Sequence, residues 1–363
     1  MYRLALLIAA VLAGSALAAY AAPPIIAVVA DNDGTETTDF LIPFGVLSRA
    51  GVGKVSAVAL RAGPVELHPG LTIEVGETVA SFDAHHPGGA NFVIVPAMMN
   101  PESPALLAWL RAQAAHGATL VAICDGALVL AHAGLLDGHE ATAHWASLDE
   151  VPAKFPKVHW VRDRRWVDAG AVITTTGISA SIPASLALIE RIAGRERALD
   201  VAASLAEPEW STAHDTRAFG LNAARIEIAA TNWLAFWRHE RVGIPIRDGV
   251  DEISLGLAAD AFARTWRATP MALASSSRVA TRYGLYVAAS AGPVDRRYEL
   301  PQAEPFAAPF LDQLLADIAA YYGAATADFV AVQLEYRGRL SRLPANVRMS
   351  TAVVPAQGVS AAR

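Results

Sequence analysis

The sequence predicts an α/β protein: a parallel sheet sandwiched by helices, with a smaller α/β extension toward the C-terminus. Three observations predict it. Short apolar runs alternate with segments of helical period, the pattern of a parallel sheet covered on both faces. Runs such as IIAVVA (25–30) and NFVIVP (91–96) are apolar without alternation, as strands buried on both faces are. The run at 118–123 ends on Cys124, the one cysteine in 363 residues, and a helical pattern begins at once.

The elements follow in order. After the strand at 25–30, Asp31-Asn32-Asp33-Gly34 breaks the chain and reads as a solvated loop. Residues 40–50 carry apolar side chains at helical spacing and stop at Gly51. Residues 55–60 read as a strand and 63–76 as a hairpin. Residues 91–96 form the next strand, and 103–116 a helix with Ser103 as N-cap and Pro104 at its first position. The strand at 118–123 leads into the helix after Cys124. Residues 166–175 read as one strand and 181–193 as a helix. Beyond 206 the pattern loosens into helix and connection, where Trp233 and Trp237, four apart, are placed in the core. Regularity returns at 251: helical to 266, strand-like at 267–275 and 282–290, then helices at 310–322 and 325–336.

The division is therefore 1–22, 23–206, 207–250 as a helical connection, 251–336 as the extension, and 337–363 as a tail. That tail has five arginines, no acid and no periodicity, and is expected to be disordered. The first segment has one early charge, Arg3, an apolar stretch at 4–12, and a small-x-small site at Ala19-Tyr20-Ala21. It reads as a secretory signal, with an uncleaved anchor as the alternative, and predicts a periplasmic or secreted protein. A mean hydropathy of +0.32, a net charge of −6 and a pI near 5.9 leave no basic footprint for nucleic acid. LGLAADAFARTWRAT has the outline of a helix-turn-helix but lacks a second, basic recognition helix. The histidines have no zinc spacing, so neither metal nor cofactor is expected.

One echo runs through the chain. Asp39-Phe40-Leu41 opens a helix followed by a strand and LHPGLTIEV; Asp251-Glu252-Ile253 opens another followed by a strand and TRYGLYVAA. GRERALDVAASL and GAATADFVAVQL rhyme near the two ends. The extension is either a truncated second copy, lacking the cysteine segment, or an unrelated α+β addition.

Cys124 at a strand-to-helix turn has elbow geometry: the turn lifts the side chain above the sheet's carboxyl edge, where the first N–H groups of the helix favour a thiolate. Gly126 permits close backbone approach at that turn. A small buried cysteine is the plain alternative.

AICDGALVLAHAGLLDGHEATAHW resembles the elbow segment of the ThiJ/PfpI superfamily, which has a flavodoxin-like, class I glutamine amidotransferase-like fold. TTDFLIPFGVLSRAG and VRDRRWVDAGAVITTTGISASIPASLALIERIAG resemble its first helix and its closing strand and helix. The resemblance covers 25–206. It is nearest to the isocyanide hydratase branch and to the amidase-like domain of AraC-type regulators. It implies Cys124 as nucleophile, Asp39 as the acid that contacts the sulfur or shuttles a proton, and His144 as an orienting or acid/base histidine. Asp39 as the N-cap of its helix and His144 as a backbone-bonded structural histidine remain open. Ala97, Met98, Asp125 and Gly126 would form the substrate or oxyanion side. Two departures matter. Asp125 stands where protease-like members have histidine, which argues against a peptidase and raises the thiol if the carboxylate points inward. Pro96-Ala97-Met98 replaces Pro-Gly-Gly, which disfavours ordinary acyl transfer.

The expected function is a hydratase or hydrolase for a small electrophilic molecule. The alternatives are a non-catalytic ligand-binding or redox-sensing module with an oxidisable cysteine, and a scaffold whose second half offers a surface. The resemblance further implies a homodimer, or a pseudo-dimeric monomer if the extension takes a partner's place.

Overall fold

The structure is a computed structural model and describes residues 22–207, 210–301 and 307–338. Residues 1–21 and 339–363 fall outside it, and with them nearly all of the segments read as signal and tail.

A seven-stranded sheet forms the first half. Its order is Trp166–Asp168, Val172–Thr175, Thr119–Ala122, Phe92–Val95, Ile25–Ala30, Lys54–Ala59 and Glu77–Thr78. All neighbours are parallel except the first pair. Residues 26–30 are wholly buried, which is why IIAVVA shows no alternation. The chain builds outward from Ile25–Ala30 first to one side and then to the other. The crevice between that strand and Phe92–Val95 is thus a topological switch point, where open α/β sheets bind ligands at their carboxyl ends.

The first helix, Thr37–Ala50, is stopped by Gly51 in a left-handed conformation (φ 60°). Pro104–Ala115 follows Ser103 as expected, although the Ser103 side chain makes no capping bond. Residues 166–175 are not one strand but two antiparallel ones. Gly170 (φ 84°) turns the chain, its N–H donating to Asp168 Oδ1 at 2.8 Å. The loop after the first strand is not solvated either: Asp31 and Asn32 are buried, and Asn32 Nδ2 donates to the carbonyls of Arg61 and Pro64.

The segment 207–250 holds more than a helical connection. Glu240–Pro245 is the central strand of a second sheet, flanked in parallel by Ala268–Leu273 and Arg296–Arg297. Its Gly243 and Pro245 look like breakers in sequence. Yet Pro245 is the strand's last residue, and a Cβ on Gly243 would lie 2.3 Å from Leu273 Cδ1, so glycine leaves room for that side chain of the neighbouring strand. Trp233 and Trp237 are exposed at 64% and 72%, contrary to their placement in the core.

The halves share one core. Glu252–Ala263, buried along almost its whole length, packs antiparallel on Thr37–Ala50. A Cβ on Gly256 would be 3.2 Å from Leu41 Cβ, so the two backbones approach closely. The two hairpins join in a five-stranded sheet in which Tyr286–Ala288 pairs antiparallel with Leu71–Glu74. Helices Ala307–Tyr322 and Ala324–Gln333 complete the second half. Among the described residues no helix is long and apolar enough to cross a membrane.

Candidate functional site

Cys124 sits between the strand Thr119–Ala122 and the helix Gly126–His132 with φ 55°, a left-handed conformation costly for a residue with a side chain. Its N–H donates to Thr175 Oγ1 at 3.0 Å, and it is 7% exposed. The turn is held by Gly126, whose N–H donates to Ile123 O at 2.8 Å. A Cβ there would lie 2.0 Å from Val95 O and 3.0 Å from Pro96 O. Gly126 is therefore a packing residue, and its N–H is committed to the turn rather than to a substrate oxygen. Gly126→Ala should cost about 1–3 kcal/mol or more by forcing this strand-to-helix approach apart, read as a lower urea midpoint; an unchanged midpoint would show that the turn relaxes freely.

Asp39 is fully buried at the start of the first helix. It is not the N-cap. Glu36 is, accepting the Asp39 N–H and the Thr38 hydroxyl. The Asp39 side chain instead faces the strand ends: Oδ2 accepts the Ala97 N–H at 3.2 Å, and Oδ1 is buried with no partner. Burial above all lifts its pKa from the usual 3.8 to about 7, with Asp260 and Asp125 adding to the rise and Ala97 and Arg264 opposing it. Ala97 N–H is thus occupied by Asp39 and does not face a substrate. Met98 turns its sulfur to the Thr35 hydroxyl at 3.2 Å.

Asp125 stands at the N-cap of the helix after the cysteine, but its side chain makes no capping bond. Its Oδ2 accepts the Ser147 hydroxyl at 2.8 Å, while Oδ1 is buried and unpaired. Burial raises this carboxyl too, against the pull of His144 and Ser147. His144 has both ring nitrogens engaged by backbone: Nε2–H donates to Gln333 O at 3.1 Å, and Nδ1 accepts the Ala146 N–H at 3.4 Å. That is the structural arrangement of the two left open by sequence, and it gives His144 no free nitrogen for proton transfer.

Groups from the second half, which no local signal in the sequence marks, also surround this centre. Arg264 Nη2 meets Glu36 Oε1 at 2.8 Å, and its Nε meets Asp260 Oδ2 at 2.8 Å. Glu335 accepts the N–H groups of Trp145 at 2.6 Å and Gly177 at 2.8 Å, and lies 3.3 Å from His214 Nε2. Burial pushes its pKa up, but His214 above all, with His144 and the Gly177 N–H, holds it below the ordinary value. Burial, then Asp39, Asp125, Glu36 and Glu335 in that order, hold the Cys124 thiol well above its ordinary range. At neutral pH the sulfur therefore carries its proton, not the poised thiolate that the helix dipole alone would favour. Among the described residues no cluster of histidine, cysteine and acids could hold a metal.

A cysteine at the carboxyl edge of a parallel sheet, on a strained strand-to-helix turn and beside a buried acid, defines a nucleophile-elbow protein of the flavodoxin-like α/β type. Residues 25–191 match the DJ-1/PfpI family, and this part of the chain is a DJ-1/PfpI family domain. Over 99 residues the chain is 40% identical to the HTH-type transcriptional regulator CdhR of Pseudomonas aeruginosa, a match covering 27% of this chain and 29% of that one. Over 114 residues it is 39% identical to isonitrile hydratase of Pseudomonas putida, covering 31% and 46%. The chain thus spans less than half the length of either relative. The crystal structure of Drosophila melanogaster DJ-1beta aligns with 26% identity over 50% of this chain and 97% of that chain, with a TM-score of 0.45.

Proposed function

We propose that the protein is an exported, cysteine-dependent hydratase or hydrolase of a small neutral electrophile, with isonitriles the first class to test. The observation that carries this reading is the pairing of Cys124 on its strained turn with the unpartnered, buried Asp39 Oδ1, on a carboxyl that titrates near neutrality. A group of that pKa both takes and returns a proton at neutral pH. The similarity to isonitrile hydratase supports the substrate class. The near-complete burial of Cys124 and the carboxylates that act on it favour a slim, uncharged molecule over an anion.

In this mechanism the Asp39 carboxylate accepts the thiol proton as Sγ bonds to the terminal carbon of R–N≡C. The same proton passes to that carbon, giving a thioimidate, S–CH=N–R. Water adds to the carbon, the C–S bond breaks, the nitrogen is protonated, and the N-substituted formamide leaves with the thiol restored. The N–H of Asp125, next after the nucleophile, occupies the place where elbow enzymes keep an oxyanion donor.

Turnover of small isonitriles to formamides, followed by chromatography, tests the reading. Cys124→Ser should abolish turnover, and Asp39→Asn should lower it by about 10²–10⁴-fold. Wild-type protein that turns over no small electrophile, or a Cys124→Ser variant with full activity, would overturn the proposal. A second reading, ligand binding without turnover, is favoured by one observation: the N–H groups of Ala97 and Gly126 are already taken within the protein. Saturable binding of an isonitrile with no formamide formed would select it. The oxidisable-sensor reading is disfavoured, because oxidation follows thiolate character and the thiol here is held protonated. Export rests on residues 1–22; a mature N-terminus near Ala22 in the periplasmic fraction would support it, and full-length protein in the cytoplasm would not.

A further inference from the structure

Structural landmarks of the first half recur at fixed separations in the second. The strands Ile25–Ala30 and Glu240–Pro245 are 215 residues apart, end to end. So are the N-caps Glu36 and Asp251, which accept the N–H of Asp39 and Ser254 respectively. So are Arg49 and Arg264, and the helix-ending left-handed residues Gly51 (φ 60°) and Trp266 (φ 56°). In the hairpins the separation is 214, relating Gly70 (φ 98°) to Gly284 (φ 89°). At the end it is 129, relating Gly194 (φ 85°) to Gly323 (φ 92°) and Ala206 (φ 48°) to Glu335 (φ 51°). The separation drops across the segment that carries Cys124, so the second half has no elbow. The sequence echo had set Asp39 against Asp251; the strands and caps set it three residues later, against Ser254.

The contacts between the halves are reciprocal in the same numbering. Arg264 meets Glu36 at 2.8 Å, and Arg49 meets Asp251 at 3.5 Å. Thr38 Oγ1 meets Asp260 at 3.4 Å, and their counterparts Ile253 and Gly45 touch as well. Leu41 and Gly256, counterparts of one another, meet face to face, and so do Ile73 and Val287 in the joined hairpin sheet. When residue i of one copy meets j of the other and j meets i, the interface is isologous, the signature of a two-fold axis.

The copies differ where the chemistry lies. Ser254 replaces Asp39. Glu335 replaces Ala206, and only Glu335 reaches across to the Cys124 side. There the end of the last helix fastens both loops beside the cysteine. Val332 and Gln333 carbonyls accept from Trp145 Nε1–H and His144 Nε2–H, the Glu335 carbonyl accepts from Ser179 Oγ, and its carboxylate takes the Trp145 and Gly177 N–H groups.

We infer that the described residues of 240–336 are a shortened second copy of the fold, seated where a partner subunit would sit, and that this copy completes the Cys124 site within one chain through two positioning residues, Arg264 and Glu335. The positioning role rests on Cys124 being the reactive group proposed above. Arg264 balances Glu36 and Asp260 behind Asp39; Glu335 fixes the loops of Trp145 and Gly177. The charges facing Cys124 are then Glu36 and Asp39 from the first helix, Asp125 from the elbow, Glu335 from the last helix, and Arg264 on the opposed helix, with His144 beside Asp125.

The test uses the full chain and needs no substrate. Iodoacetamide labelling has one thiol to report, so its pH midpoint is read for wild type, Glu335→Gln, Arg264→Gln and the remote control Asp328→Asn, with sedimentation alongside. A monomer is expected. Glu335→Gln should move the midpoint down and Arg264→Gln up, each by about half a unit or more, while Asp328→Asn leaves it in place. A purely scaffolding role would lower stability without opposite shifts. A tight homodimer, coincident midpoints in folded variants, or a cysteine that never labels would overturn the inference. Opposite shifts in a monomer that turns over no electrophile would sink the hydratase reading alone.

Discussion

Arg264→Met should cost about 3–5 kcal/mol of stability at neutral pH, the cost of stripping one partner from a buried ion cluster. The guanidinium lies between Asp260, fully enclosed, and Glu36, whose side chain is 13% exposed, with Thr38 and Asp39 adjoining. Burial raises both carboxyls, and their mutual repulsion adds to it for Glu36. The sign of the pH dependence follows. An acid whose folded pKa is raised holds its proton after the unfolded chain has released it, so stability falls as pH rises through that window. Without Arg264 the carboxyls rise further and the fall steepens. The loss measured by urea unfolding should therefore be smaller at pH 5 than at pH 8. Adding Glu36→Gln and Asp260→Asn should recover part of it, since a neutral cluster has no charge to balance. An Arg264→Met midpoint equal to wild type at pH 8 would refute the role of buried counter-charge.

The first half was legible because its signals are local. IIAVVA and NFVIVP lack alternation because both faces are covered, and Gly51 and Pro104 mark helix ends by their own backbone limits. The elbow was legible for the same reason: a strand, a lone cysteine and a glycine stand within nine residues of each other. What stayed hidden depends on distant partners. Nothing near Arg264 in the sequence shows that Glu36, 228 residues earlier, will meet it. Glu335 looked like the end of a helix rather than a ligand for two backbone N–H groups. The register of the repeat is three residues off in sequence because Asp39 and Asp251 each open a similar apolar run. The folded N-caps pair Glu36 with Asp251, and only a cap's geometry shows that. The strand at 240–245 holds a glycine and a proline, and their tolerance depends on which neighbour they face. Trp233 and Trp237 were assigned inward by spacing alone, although spacing fixes a face and not what covers it.

Asp39→Asn should make the protein more stable at pH 8 while it loses the proposed activity. In the folded chain this carboxyl holds its proton until about pH 7, against 3.8 for an ordinary aspartate. Below about pH 4 it is protonated in both states and contributes no pH dependence. Between those values the unfolded state has released the proton and the folded state has not, so wild-type stability falls as pH rises. At about 1.36 kcal/mol per unit, the whole window amounts to roughly 4 kcal/mol, an upper figure because the group is coupled to Glu36 and Asp260. Asparagine carries no proton to release, and its amide oxygen can keep the Ala97 N–H bond. The difference between the two proteins should therefore open across pH 4–7 and level off by pH 8, read from paired urea titrations. A difference that stays flat across the window would place the carboxyl in an ordinary, solvated environment. Asp39 would then have neither the strain nor the near-neutral proton affinity that the proposed chemistry requires. A difference that opens as described would show that the fold accepts a destabilising buried acid beside Cys124, a cost that a purely structural cysteine does not explain.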